Sequence, residues 1–135
     1  MSAENIIHAL LVAAAPVTAL VGTNIWPGEL PQGTPMPALG ISHISSTEHP
    51  TISAPSAYTL VQTRIEITVL SRDYVTLKSL VGKVRAACNY QRGVIATYTV
   101  ISVMQELIGP DMRDSDLTLF SQTIDFMVTW QQANP

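Results

Sequence analysis

The side chains best equipped for chemistry here are three histidines, one cysteine and a late group of carboxylates. Zinc sites favour imidazoles one helical turn apart. His8, His43 and His49 fall instead on a predicted helix, strand and loop, and no two of them share that spacing. His8 reads as a helix residue at the edge of an apolar stripe. Asp111, Asp114 and Asp116 superficially suggest a calcium loop, but ligand alternation, a central glycine and a closing glutamate are lacking. Glu106 with these aspartates would offer paired carboxylates for acid–base work, yet the intervening Gly109-Pro110 turn argues against a fixed geometry. The spacing favours a solvated turn. Cys88 lies among apolar neighbours at helical spacing, the setting of a buried and inert thiol. As the only cysteine it can form no intrachain disulfide, which points to a reducing compartment. No nucleophile elbow is present, and Gly28, Gly33 and Gly40 follow neither glycine-rich phosphate pattern. No catalytic, cofactor-binding or metal-ligating residue is expected.

Charge is a second possible source of function. Six of the seven basic residues lie between Arg64 and Arg92, whereas Glu106, Asp111, Asp114 and Asp116 meet only Arg113. One interpretation is a solvated face. The other is a subunit interface in which Arg72, Lys83 and Arg85 of one copy meet Glu106, Asp111, Asp114 and Asp116 of the next, a head-to-tail contact able to close into a ring. The net charge of −3 lacks the broad cationic footprint that phosphate contacts demand, so no sequence-specific nucleic-acid partner is expected.

The elements that must carry these groups follow from periodicity. A helix is expected from just after Ser2, a capping residue, with Ile6, Ile7, Leu10 and Leu11 as one apolar stripe. Pro16 ends or restarts it, and Val17–Val21 forms a short helix closed by Gly22. Thr23–Trp26 is a short strand. Pro27–Pro37 holds four prolines and two glycines, the composition of an ordered excursion. Ala38–Ser45 is a strand and Ser46–Ser56 a second polar loop. Tyr58–Leu70 is a long strand with Val61, Ile65, Ile67 and Val69 on one parity and Arg64 and Glu66 on the wetter one, facing water or a partner.

Ser71 and Asp73 are alternative caps for a helix to about Asn89, whose buried stripe is Leu77, Leu80, Val81, Val84 and Cys88. Gly82 would mark a close backbone approach. Val94–Glu106 is a strand rich in β-branched residues, and Leu117–Trp130 closes the chain with Phe120, Ile124, Phe126, Val128 and Trp130 on one parity and a mixed opposite face. The expected fold is a single α+β domain over residues 1–135, a mainly antiparallel sheet with helices packed on one face, in the order α-β-β-β-α-β-β. Extended loops are expected at 27–37 and 46–56.

Hydrophobic residues make up 47% and charged residues 13% of the chain, the latter about half the roughly 25% of an ordinary soluble domain. The longest apolar stretch, Ile6–Val21, is interrupted by His8 and Pro16 and is shorter than the roughly 20 residues of a membrane span. Glu4 stands where a signal peptide is basic. A soluble, unexported chain without a membrane partner is expected, with its second sheet face covered by copies of itself.

The order of several segments resembles a known family. Ile6-Ile7-His8-Ala9-Leu10-Leu11 is followed by Val17-Thr18-Ala19-Leu20-Val21-Gly22, an Ile25-Trp26-Pro27 step and Pro37-Ala38-Leu39. Next come Thr63-Arg64-Ile65-Glu66-Ile67, a helix with Val84-Arg85-Ala86-Ala87, and Ser121-Gln122-Thr123-Ile124-Asp125-Phe126. This resembles the tail-completion or tail-terminator proteins of long-tailed bacteriophages over nearly the whole chain, with Gln122 where the family pattern is basic. The resemblance implies a non-enzymatic structural protein without cofactor, assembled in the host cytoplasm as a hexameric ring at the tail–neck junction of the virion. Its partners would be itself, the tail tube protein and the head–tail connector or neck proteins. A different neck or head-completion component, and a small-molecule-binding domain using the sheet near Tyr98 and Trp130, are the alternatives.

Overall fold

The computed structural model describes residues 2–28, 31, 33–49, 58–115 and 118–133. Its elements are α1 (Ser2–Ala13), α2 (Ala15–Val21), β1 (Ile25–Pro27), β2 (Ala38–His49), β3 (Tyr58–Ser71), α3 (Tyr74–Cys88), β4 (Gly93–Ile95), β5 (Tyr98–Ile108), β6 (Met112–Asp114) and β7 (Leu119–Ala133). The strands form one sheet ordered β1-β2-β3-β7-β5-β4, with β6 paired to β7. Among the described residues only β1 and β2 run parallel; the other pairs are antiparallel.

Pro16 sits in the first turn of α2, and Ala14 before it is extended, so α1 and α2 meet at 89°. This bend lets Ala3, Ile6, Ile7 and Leu11 of α1 and Val17 and Val21 of α2 enter one core. No single described helix is long and apolar enough to cross a membrane. Asp73 caps α3, its carboxylate accepting from the Thr76 amide at 3.1 Å and the Thr76 hydroxyl at 2.8 Å. Ser71, the alternative cap, instead accepts from the Asp73 amide at 3.2 Å. Leu77, Leu80, Val81, Val84 and Cys88 are the buried stripe of α3. Burial pushes the Cys88 thiol up to about 12, which makes it a poor nucleophile.

The long pair β3–β7 runs in unbroken register from Tyr58↔Ala133 to Ser71↔Phe120. Val61, Thr63, Ile65, Ile67 and Val69 are buried, as are their partners Trp130, Val128, Phe126, Ile124 and Gln122. Alternation therefore assigned the inward parity of both strands correctly. The apolar members join the helix residues in a single cluster.

The element order differs from expectation in four places. The α1–α2 pair begins at Ser2 itself and counts as two helices. Strand β2 continues to His49, so Ser46–His49 pair with β3 rather than starting a loop. A bulge at Ile44 re-registers the ladder there, and backbone pairing continues although the side chains are polar. The segment 94–106 is a hairpin of β4 and β5, because Ala96 and Thr97 adopt φ of 52° and 71°. Two left-handed residues make a tight reversal usually written with Asn or Gly, so Ala-Thr concealed it. Lastly, Met112–Asp114 of the predicted acidic loop form β6. Within the Pro27–Pro37 excursion, Pro27 ends β1 and the described residues after it form no regular element. Residues 50–56 of the second expected loop, and 29, 30 and 32 of the first, lie outside the described residues.

Gly82 shows no close approach, since a Cβ built there meets nothing within 4 Å. Gly82→Ala should therefore stabilise the isolated chain by about 1 kcal/mol, a rise in Tm of roughly 3–5 °C. Calorimetry showing a lower Tm would indicate a contact at that position.

Candidate assembly surface

One residue expected at a subunit interface, Asp111, has a partner within its own chain. Lys78 of α3 lies 3.3 Å from the Asp111 carboxylate and donates to Gln122 Oε1 at 3.0 Å. Its Nζ also sits 5.3 Å from the centre of the Tyr74 ring. Gln122 Nε2 donates to the Gly109 carbonyl at 2.9 Å. The Tyr74 hydroxyl and Lys78 hold the Asp111 carboxyl below its usual range, and the same hydrogen bond raises the Tyr74 phenol. The start of the acidic segment is thereby tied to the first half of α3 within one chain. Gln122 thus bridges Lys78 and the Gly109 carbonyl.

Farther along α3, Arg85 Nε donates to Gln105 Oε1 at 2.6 Å, one residue from exposed Glu106. Half-buried Lys83 lines a shallow groove with Ala14, Pro16, Gly82 and Ala87. Arg72 lies exposed in the link between β3 and α3, and Asp114 is exposed on β6 opposite Leu119. Asp116 lies outside the described residues.

Periodicity left two polar arrangements unidentified. Arg64 was expected to face water or a partner; instead its Nε and Nη2 both donate to Asp125 Oδ2, at 2.9 and 2.7 Å. Glu66 stands directly opposite Asp125 and Arg64 opposite Met127, so the ion pair is a diagonal neighbour contact on the sheet face away from the core. Asp125 is 7% exposed. The shared parity of Arg64 and Asp125 on an antiparallel pair was the available signal; the register was the missing one.

The second arrangement is a chain of hydroxyls. His43 Nε2 lies 2.8 Å from Ser46 Oγ, which lies 2.9 Å from Thr63 Oγ1. Thr63 in turn accepts from Trp130 Nε1 at 3.1 Å. The Ile44 bulge brings His43 and Ser46, three residues apart, to one side. Trp130 is buried and packs edge-on against Tyr98 at 5.3 Å between ring centres. Both aromatic rings of the small-molecule alternative are therefore engaged in packing.

Among the described residues, no three His, Cys, Asp or Glu side chains converge as a metal site. The sheet face opposite the core carries half-exposed Thr68, Met127 and Thr129 beside exposed Leu60, Met104 and Leu107.

A sequence model of the family described as "Tail completion protein gp17" matches residues 6–131. A chain from the structure titled "Virion of native gene transfer agent (GTA) particle" superposes with a TM-score of 0.70 at 17% identity, covering 96% of this chain and 94% of that one. At that identity the likeness is one of fold. A search of curated proteins gave no match.

Proposed function

The chain belongs to the tail completion protein family, and from that premise we propose that it forms a hexameric ring which caps the tail tube, ends tube polymerisation and presents the surface to which the head docks. The family carries a structural role in the phage tail, as a component of the virion. The match spanning residues 6–131 is the observation that carries the reading. Low charge and a partly apolar second sheet face support burial against neighbouring subunits. The tail tube protein and the connector or neck proteins are the proposed partners, at the tail–neck junction of particles assembled in the host cytoplasm. The excursion 27–37 is the proposed contact to them, as a loop on a rigid scaffold.

The test is electron microscopy of phage lacking this chain. Overlong or uncapped tails support the cap, whereas tails of normal length without heads would assign the chain to the neck instead.

Within the ring, Arg72, Lys83 and Arg85 are proposed to meet Glu106, Asp111, Asp114 and Asp116 of the next copy. Because Asp111 already pairs with Lys78 of its own chain, exposed Glu106 becomes the principal acceptor. Lys83→Glu with Arg85→Glu should lower the assembled mass seen by light scattering while circular dichroism stays unchanged. An unaltered mass would reject this contact.

A further inference from the structure

We infer that successive copies join through opposite ends of the sheet, the β2 arm of one copy seating Ile44 in a depression at the β4–β5 corner of the next. The inference rests on the ring reading and specifies which surfaces meet. The depression, of about 370 Å³, is lined by Tyr90, Gln91, Arg92, Ile101, Ser102 and Met104. Tyr90 is 74% and nearby Val94 77% exposed, and Ile101 and Met104 are also exposed. Two backbone hydrogen bonds pin this apolar corner. Tyr90 is held at φ 63°, uncommon for a bulky residue, by its amide bonding to the Val103 carbonyl at 2.8 Å and the Val103 amide bonding to the Gln91 carbonyl at 3.0 Å. A preformed site with tyrosine, methionine and arginine has the composition of an interface core.

The opposite end of the sheet supplies the matching shape. Strand β1 covers β2 only as far as Ile41, and beyond it, among the described residues, β2 pairs with β3 alone. The free edge of His43–His49 carries no lysine or proline to block strand addition. Its one large apolar side chain is Ile44, lifted out of the ladder by the bulge and 49% exposed. Charge matches as well. Exposed Glu48 lies on the arm and exposed Arg92 lines the depression; neither has a charged partner among the described residues. One chain thus carries both a knob with a carboxylate and a hole with a guanidinium, at opposite ends of one sheet. That is the arrangement of a head-to-tail contact between identical copies.

Cysteine cross-linking tests it on the full chain, in purified protein and on assembled tails. Strands β3 and β7 separate β2 from β5, so positions 44 and 104 of one chain lie three strand spacings, about 14 Å, apart. A disulfide spans Cα atoms up to about 7 Å apart, so Ile44→Cys with Met104→Cys can bridge only between copies. Both positions are exposed, and buried Cys88 stays out of the exchange. Under mild oxidation the double variant should give a ladder of covalent multimers up to the ring, and each single variant none beyond a dimer. Glu48→Arg should weaken assembly at least tenfold, and adding Arg92→Glu should restore it. Rings of full mass without a ladder would overturn this contact and leave the ring intact. Monomers without a ladder, in solution and on tails, would overturn both. A cross-link from the Ile44→Cys thiol to the tube protein would overturn the choice of partner.

Discussion

Phe126→Ala is expected to cost about 4 kcal/mol of folding stability, the usual range for deleting a fully buried phenylalanine ring. Phe126 is 0% exposed and stands on β7 between Ile65 of β3 and Gln105 of β5. It is among the largest side chains of the core. Close-packed strands on both sides restrict how far neighbours can collapse into the space, so a cavity term adds to the lost transfer energy. A domain of this size has a total stability of about 5–15 kcal/mol. The loss should therefore lower Tm by roughly 12–20 °C and be clear in urea titration. Met127→Ala is the control: one residue on, facing away from the core and only half-buried, it should cost about 1 kcal/mol. Equal losses at 126 and 127 would mean that the inward parity of β7 is wrong.

Thr63→Val should cost about 2 kcal/mol although the two side chains have nearly the same shape. Thr63 is 1% exposed, and its hydroxyl accepts the indole N–H of Trp130. Valine would leave that donor buried without a partner and would also remove the link to Ser46. Thr63→Ser keeps the oxygen and loses one methyl group, which predicts a smaller cost of about 1 kcal/mol. The cause can be isolated by a double-mutant cycle. In a Trp130→Phe background no indole donor remains, so Thr63→Val should become close to neutral. An undiminished cost there would refute the hydrogen bond as the source.

Local sequence was enough to find α3 and its buried stripe, the bend at Pro16, and the inward parity of β3 and β7. Each depends on neighbours within a few residues, where helical or strand periodicity acts directly on burial. It failed where backbone geometry overrides side-chain type. Ser46–His49 look like a loop because they are polar, yet an edge strand needs only its amides and carbonyls to pair. The Ala96-Thr97 reversal was hidden because neither residue advertises a left-handed backbone.

The candidate surface divides in the same way. The sequence alone determined that charge is segregated along the chain. Its ordered segments already resembled a tail-completion family. Only the tertiary structure decided that Lys78 reaches Asp111, that Arg64 closes on Asp125, and that Ile44 and Tyr90 lie at opposite ends of one sheet. Those relations join residues far apart in the chain. They are set by strand register and by the order β1-β2-β3-β7-β5-β4, which no local pattern of residues encodes.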